Sequence, residues 1–119
     1  MVKNFKSLKI WVRAVEIAER VYFLTGKFPC EEKFGLVSQL RRAVVSISSN
    51  IAEGCGRRTN RDLINFLHIS IGSLREVQSE LLVSCRLGFL EKKELDVLDL
   101  ELDELARMIS GYINYVRGK

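Results

Sequence analysis

Apolar residues recur every three to four positions from Ile10 to Val116, and only short interruptions break the pattern, at Gly26–Pro29, at Gly54–Arg58 and at Gly88. That period lines them along one side of an α-helix. Pro29 is the single proline, so no other position is barred from continuing a helix. No useful stretch shows the alternation of two that a half-buried strand needs. The pattern predicts four helices over about residues 8–25, 32–53, 60–87 and 91–116, joined by short turns. The expected fold is all-α, an antiparallel up-down-up-down four-helix bundle, with residues 1–119 as one domain large enough for a single core.

The helix ends follow from residue chemistry. Ser7 is the expected N-cap of the first helix and Gly26 its stop. Pro29 suits a first turn, and Glu31 and Glu32 complement the dipole of the second helix. Gly54 and Gly56 are expected to end that helix through a left-handed C-terminal cap. Thr59 then caps the third helix, with Asp62 in its first turn. Glu91 and Glu94 suit the start of the fourth helix and Arg117 its end. Gly72 sits mid-helix, where glycine costs roughly 1 kcal/mol against alanine, so a close backbone contact is expected there. Phe5 is placed to fold back as a hydrophobic staple.

Each helix shows a face. Ile10, Trp11, Ala14, Val15, Ile17, Ala18, Val21, Tyr22 and Leu24 form one side of the first, and Lys9, Arg13, Glu16 and Arg20 the other. In the third, Leu63, Ile64, Phe66, Leu67, Ile71, Leu74, Val77, Leu81, Leu82 and Cys85 span a sector wide enough for two neighbours. His68 falls on its polar side. The fourth carries a near-heptad seam through Leu95, Leu98, Leu102, Leu105, Ile109, Tyr112, Ile113 and Val116, with a solvated acidic surface beside it.

The second helix is unusual. Leu36, Leu40, Ala43, Val44, Ile47 and Ile51 form its apolar stripe, and Gln39, Arg42, Ser46, Asn50 and Glu53 form a polar stripe directly beside it. One reading is a structural hydrogen-bonded network, within or between subunits, with Glu76 as a partner from the third helix. The other is a ligand or catalytic site. The carboxylates have no histidine beside them in sequence and no metal-ligand spacing, which weighs toward the network.

Charge is distributed unevenly. Residues 1–90 hold 14 Lys and Arg against 8 Asp and Glu, and residues 91–119 hold 5 against 7. A basic body of this kind attracts polyanions. The turn after the second helix concentrates Arg57 and Arg58, with Arg61 one turn on. Cys30, Cys55 and Cys85 share no close spacing and His68 is the only histidine, so no zinc set and no disulfide framework is expected. Nor is any cofactor expected. There is no phosphate-binding glycine loop, no Ser/His/Asp set and no metal cluster, and the chain reads as a non-enzyme. No run is apolar enough for a membrane span and Met1–Lys6 does not resemble a signal peptide, so the expected location is cytoplasmic.

The run Gln39-Leu40-Arg41-Arg42-Ala43-Val44-Val45-Ser46-Ile47, followed by Asn50-Ile51-Ala52-Glu53-Gly54, resembles the signature of the four-helix-bundle proteins first noticed in intervening sequences of bacterial 23S ribosomal RNA genes. Trp11 with Ala14, Phe28-Pro29 with Glu32, Gly35-Leu36, and Gly72-Ser73-Leu74 with Glu76 extend the resemblance along nearly the whole chain. Ser48 departs from it, since many relatives carry proline there. The resemblance implies an all-helical bundle that assembles into a homopentamer and has no established enzyme activity. It is also similar to accessory proteins of diversity-generating retroelements, which bind nucleic acid and a reverse transcriptase through a basic surface.

Two functions follow as expectations. The first is an oligomer that binds RNA or DNA through Arg41, Arg57, Arg58 and Arg61, with Arg13 and Arg20 as additions, because guanidinium groups donate to phosphate in a fixed fork. The second is a scaffold for a protein partner, for example a reverse transcriptase, without direct nucleic-acid contact. No aromatic stacking platform is expected.

Overall fold

The computed structural model describes residues 4–119. Four helices follow in order: α1 (Lys9–Thr25), α2 (Leu36–Cys55), α3 (Asn60–Arg86) and α4 (Lys92–Arg117), with short 3-10 turns at Phe5–Ser7 and Cys30–Glu32. Each helix packs on its neighbours in an antiparallel ring, α1 on α2, α2 on α3, α3 on α4 and α4 on α1. The bundle measures 46 × 24 × 20 Å.

The stripes read from the sequence meet along the axis. Leu40, Ile47 and Ile51 of α2, Leu67, Leu74 and Leu81 of α3, and Leu98, Leu102, Leu105 and Ile109 of α4 are fully buried. Leu82 is the exception in α3: it lies half exposed, outside the core. α3 touches both α2 and α4, as its wide apolar sector requires. The α1–α4 seam is closed at its edge by charge, through Arg13–Glu104 at 2.7 Å and Arg20–Glu101 at 2.9 Å.

Several ends differ from the sequence expectation. Ser7 is not the cap of α1. Asn4 nucleates an earlier turn by accepting from the Lys6 N–H at 3.0 Å, the Ser7 hydroxyl donates back to the Asn4 carbonyl, and Leu8 occupies the N-cap position. The helix expected from residue 32 begins at Leu36, because Gly35 breaks the backbone path at φ −108°, ψ −110°. Glu32 still serves it: its Oε1 accepts from the Leu36 N–H at 3.3 Å. Thr59 caps α3 as expected, accepting from the Asp62 N–H at 3.1 Å. Glu91 and Glu94 form a reciprocal capping box on α4. Phe5 sits edge-on to Trp11, with ring centroids 5.2 Å apart.

The glycines serve other ends than the expected ones. Gly54 stays inside α2, and Gly56 ends the helix in right-handed geometry at φ −87°. Among the described residues only Gly88 takes a positive φ, 87°. Gly54 is required for space instead: a Cβ there would lie 2.9 Å from the Phe66 Cβ and 3.0 Å from the Leu63 Cδ1. Gly72 makes no close contact, and nothing lies within 4 Å of the place its Cβ would take. The close α2–α3 approach is made by Gly54 and by Ser70, whose buried hydroxyl donates to the Ile47 carbonyl at 2.8 Å.

Candidate nucleic-acid interface

Antiparallel topology brings three separate pieces of sequence to one end of the bundle: the turn before α1, the α2–α3 turn and the last turn of α4. The α2–α3 turn is tight because the Gly56 and Arg57 N–H groups donate back to the Glu53 and Gly54 carbonyls, both at 3.1 Å. Thr59 then starts α3 at once. Arg57 and Arg58 lie exposed in this turn.

A groove of about 550 Å³ opens between these pieces, bounded by Arg57, Arg58, Asn60, Tyr112, Tyr115 and Lys119, with Gly54, Cys55 and Leu63 among the smaller or apolar residues of its lining. Among the described residues no Asp or Glu lines it. A shallower hollow continues from it past Arg61 and Arg117, sharing Asn60, Val116 and Lys119. Among the described residues the cationic side chains lining the two hollows are therefore Arg57, Arg58, Arg61, Arg117 and Lys119.

Their neutralisation differs. Arg57 pairs with Glu53 at 3.0 Å and lies over the Phe66 ring at 4.6 Å. Arg58 and Arg61 make no ion pair and donate no side-chain hydrogen bond among the described residues. Lys119 rests over the Tyr115 ring at 4.7 Å, and Tyr115 stacks on Tyr112 with centroids 5.9 Å apart. Burial raises the Tyr112 phenol above its usual range, with the nearby Cys55 and Tyr115 adding to the effect, so Tyr112 stays a neutral donor. Burial likewise raises the Cys55 thiol. A neutral thiol is a poor nucleophile, so the groove floor is apolar and unreactive.

The remaining arginines lie elsewhere. Arg41 sits about 24 Å along α2 from Arg57, at 1.5 Å per residue. Its Nε donates to Thr25 Oγ1 at 3.0 Å and its Nη2 to the Tyr22 carbonyl at 3.1 Å, with the guanidinium over the Tyr22 ring at 4.5 Å. Arg41 thus ties the end of α1 to α2 and is not part of the cluster. Arg13 and Arg20 are held by Glu104 and Glu101 of α4.

The polar stripe is assembled only in its middle. Ser46 Oγ meets Ser73 Oγ at 2.8 Å, and Asn50 Nδ2 donates to the Ser46 hydroxyl and carbonyl at 2.9 and 2.8 Å. Gln39 and Arg42 are exposed, and Arg42 reaches only Ser38 Oγ, at 3.5 Å. Glu53 turns to Arg57 in the turn that follows its own helix. Glu76 pairs with neither Arg42 nor Glu53; it faces Glu80, whose carboxyl is raised to about 7 by burial, by the Glu76 charge and by a hydrogen bond with it. Among the described residues no group of three His, Cys, Asp or Glu is placed to hold a metal ion.

Tyr112, Tyr115, Arg117 and Lys119 were not recognised as site residues from the sequence. Tyr112 reads as part of the α4 seam and Arg117 as a complement to the dipole at the end of α4. The signal was the topology itself, since an up-down bundle must place the end of α4 beside the α2–α3 turn.

A family model for the 23S rRNA-intervening sequence protein matches residues 6–111. This chain belongs to that family. A solved structure from Bacteroides thetaiotaomicron, described as a protein with unknown function from the S23 ribosomal protein family, superposes with a TM-score of 0.81 at 23% identity, covering 88% of this chain and 95% of that one. At that identity the likeness establishes the shared bundle. A comparison with curated proteins gave no match. Among the described residues no helix of this family member is long and apolar enough to cross a membrane.

Proposed function

We propose that this 23S rRNA-intervening sequence family member is a non-catalytic, self-associating bundle that binds RNA or DNA through the basic end. The observation that carries this reading is the cluster of Arg57, Arg58, Arg61, Arg117 and Lys119, drawn from the α2–α3 turn, the start of α3 and the end of α4, around grooves that no Asp or Glu lines among the described residues. Arginine and lysine at such an end serve phosphate, and binding of this kind is driven by charge and shape and weakens steeply with salt. Self-association multiplies each weak contact by the number of subunits. The outer α2–α3 surface suits that association: half-buried Ser46, Asn50 and Ser73 share it with exposed Ile69, one helical turn from Ser73. A homopentamer is the assembly proposed.

Fluorescence anisotropy with a structured RNA, titrated at low and moderate salt, tests the binding. The expected result is saturable binding whose affinity falls by orders of magnitude as salt rises. Light scattering of the same sample gives the subunit number.

A protein-scaffold role is the second reading. It draws on the opposite end, where Phe34 is 90% exposed and Phe23 and Leu87 lie more than half exposed. Nuclease treatment separates the two, because a direct protein contact survives it.

A further inference from the structure

We infer that the end groove takes an unpaired nucleotide, the base lying against Tyr115 and the phosphate held by Arg58 and Lys119. This rests on the nucleic-acid reading above and narrows it to single-stranded segments, loops or ends.

The argument begins with Tyr115. It is 59% exposed although it stacks on Tyr112, so one aromatic pair presents itself to solvent beside the arginine turn. A tyrosine at a solvated helix end has no packing reason to stay this open, and its ring is the right surface for a nucleobase. The groove is about 550 Å³, within the range of sites that hold small ligands. Its chemistry suits both halves of a nucleotide. Tyr112, Tyr115, Leu63 and Cys55 supply apolar and aromatic surface, while Arg58, Lys119 and Asn60 supply donors.

The magnitudes favour entry of a base. Lys119 covers the Tyr115 ring through a cation–π contact of 4.7 Å. At an exposed site such a contact is weak, and a base stacked on an aromatic side chain is the stronger partner. A base therefore displaces the ammonium, and the released Lys119 moves onto the phosphate that arrives with it. The exchange loses no charge contact.

A continuous duplex cannot use this site. Its bases are stacked on one another, and presenting one face to Tyr115 requires unstacking. Duplex binding is left with the phosphate contacts alone. An unpaired RNA and an unpaired DNA nucleotide both fit the aromatic surface and the cations of the groove.

The test compares three probes by anisotropy: an oligouridylate, the matching oligodeoxythymidylate, each about ten residues long to span one site, and a blunt duplex. The proteins are the full chain, Y115A and Y115F. The expected result is tighter binding of the single strands than of the duplex, about tenfold or greater loss of single-strand affinity in Y115A, and retention in Y115F. Duplex affinity is unchanged in both variants. Circular dichroism confirms that Y115A folds, which its exposure favours. If the full chain binds all three probes and Y115A binds them equally well, the inference is overturned and the phosphate-binding reading stands. If the full chain binds none of them, both are overturned.

Discussion

Glu53 holds Arg57 at 3.0 Å, one helical turn away, at the point where α2 gives way to the arginine turn. Both side chains are about half exposed, so the pair contributes little to stability, roughly 0.5 kcal/mol or less. Its consequence is electrostatic: one of the five cations at the basic end is neutralised in the unliganded protein. Replacing Glu53 with Gln is expected to leave the melting temperature almost unchanged and to raise affinity for RNA at low salt a few-fold. Anisotropy and thermal denaturation on the same preparation check this, and a large loss of stability would return Glu53 to a structural network.

Two glycines are expected to respond with opposite sign. G72A adds a methyl group to a solvent-exposed helix position with nothing within 4 Å, and gains about 0.5–1 kcal/mol from helix propensity. G54A gains the same propensity but drives its methyl to 2.9 Å from Phe66 and 3.3 Å from the Leu63 carbonyl oxygen. Overpacking of this kind costs about 1–3 kcal/mol and outweighs the gain. Denaturant midpoints of the two variants, read against the parent, decide the signs.

How much of this was legible in the sequence depends on what each residue answers to. Leu98, Leu102, Leu105 and Ile109 obey a local period, and their burial could be read directly. Thr59 and Glu91 answer to caps formed within their own first turn. Gly54 and Gly72 look alike in sequence, and only the facing helix distinguishes them. The same holds for the arginines. Arg41 sits in a basic run, but its partners Tyr22 and Thr25 come from another helix. Tyr115 and Lys119 join Arg58 only through the return of α4 to the starting end. The fold was therefore readable almost throughout, and the site only in its α2–α3 turn.

Glu80 makes stability pH-dependent. Its carboxyl is raised to about 7 in the folded state, first by burial, then by the Glu76 charge and their hydrogen bond, and its Oε1 has no hydrogen-bond partner. A raised carboxyl binds its proton more tightly folded than unfolded, so stability falls as pH rises from the unfolded value near 4.5 through about 7. Water reaching the half-buried group keeps the effect to about 1 kcal/mol. E80Q is expected to flatten this part of the pH–stability curve and to be more stable than the parent above pH 7, as followed by thermal melts across the range.

The cysteines should separate by reactivity. Cys30 is exposed, whereas Cys55 is half-buried on the groove floor with its thiol raised by burial. An aromatic disulfide reagent is expected to modify Cys30 quickly and Cys55 slowly. Bound oligonucleotide should slow Cys55 further and leave Cys30 unaffected, which mass spectrometry of the modified peptides resolves.

The basic end as a phosphate-binding surface is tested most directly by the salt dependence of RNA binding in the double variant R58A/R61A. Each phosphate contact contributes a slope of roughly 0.7–0.9 in the log–log plot of affinity against salt. Removal of two is expected to weaken binding at low salt and to reduce the slope by about 1.4–1.8 per subunit engaged. Equal affinity and equal slope in parent and variant, with both folded, would contradict the account.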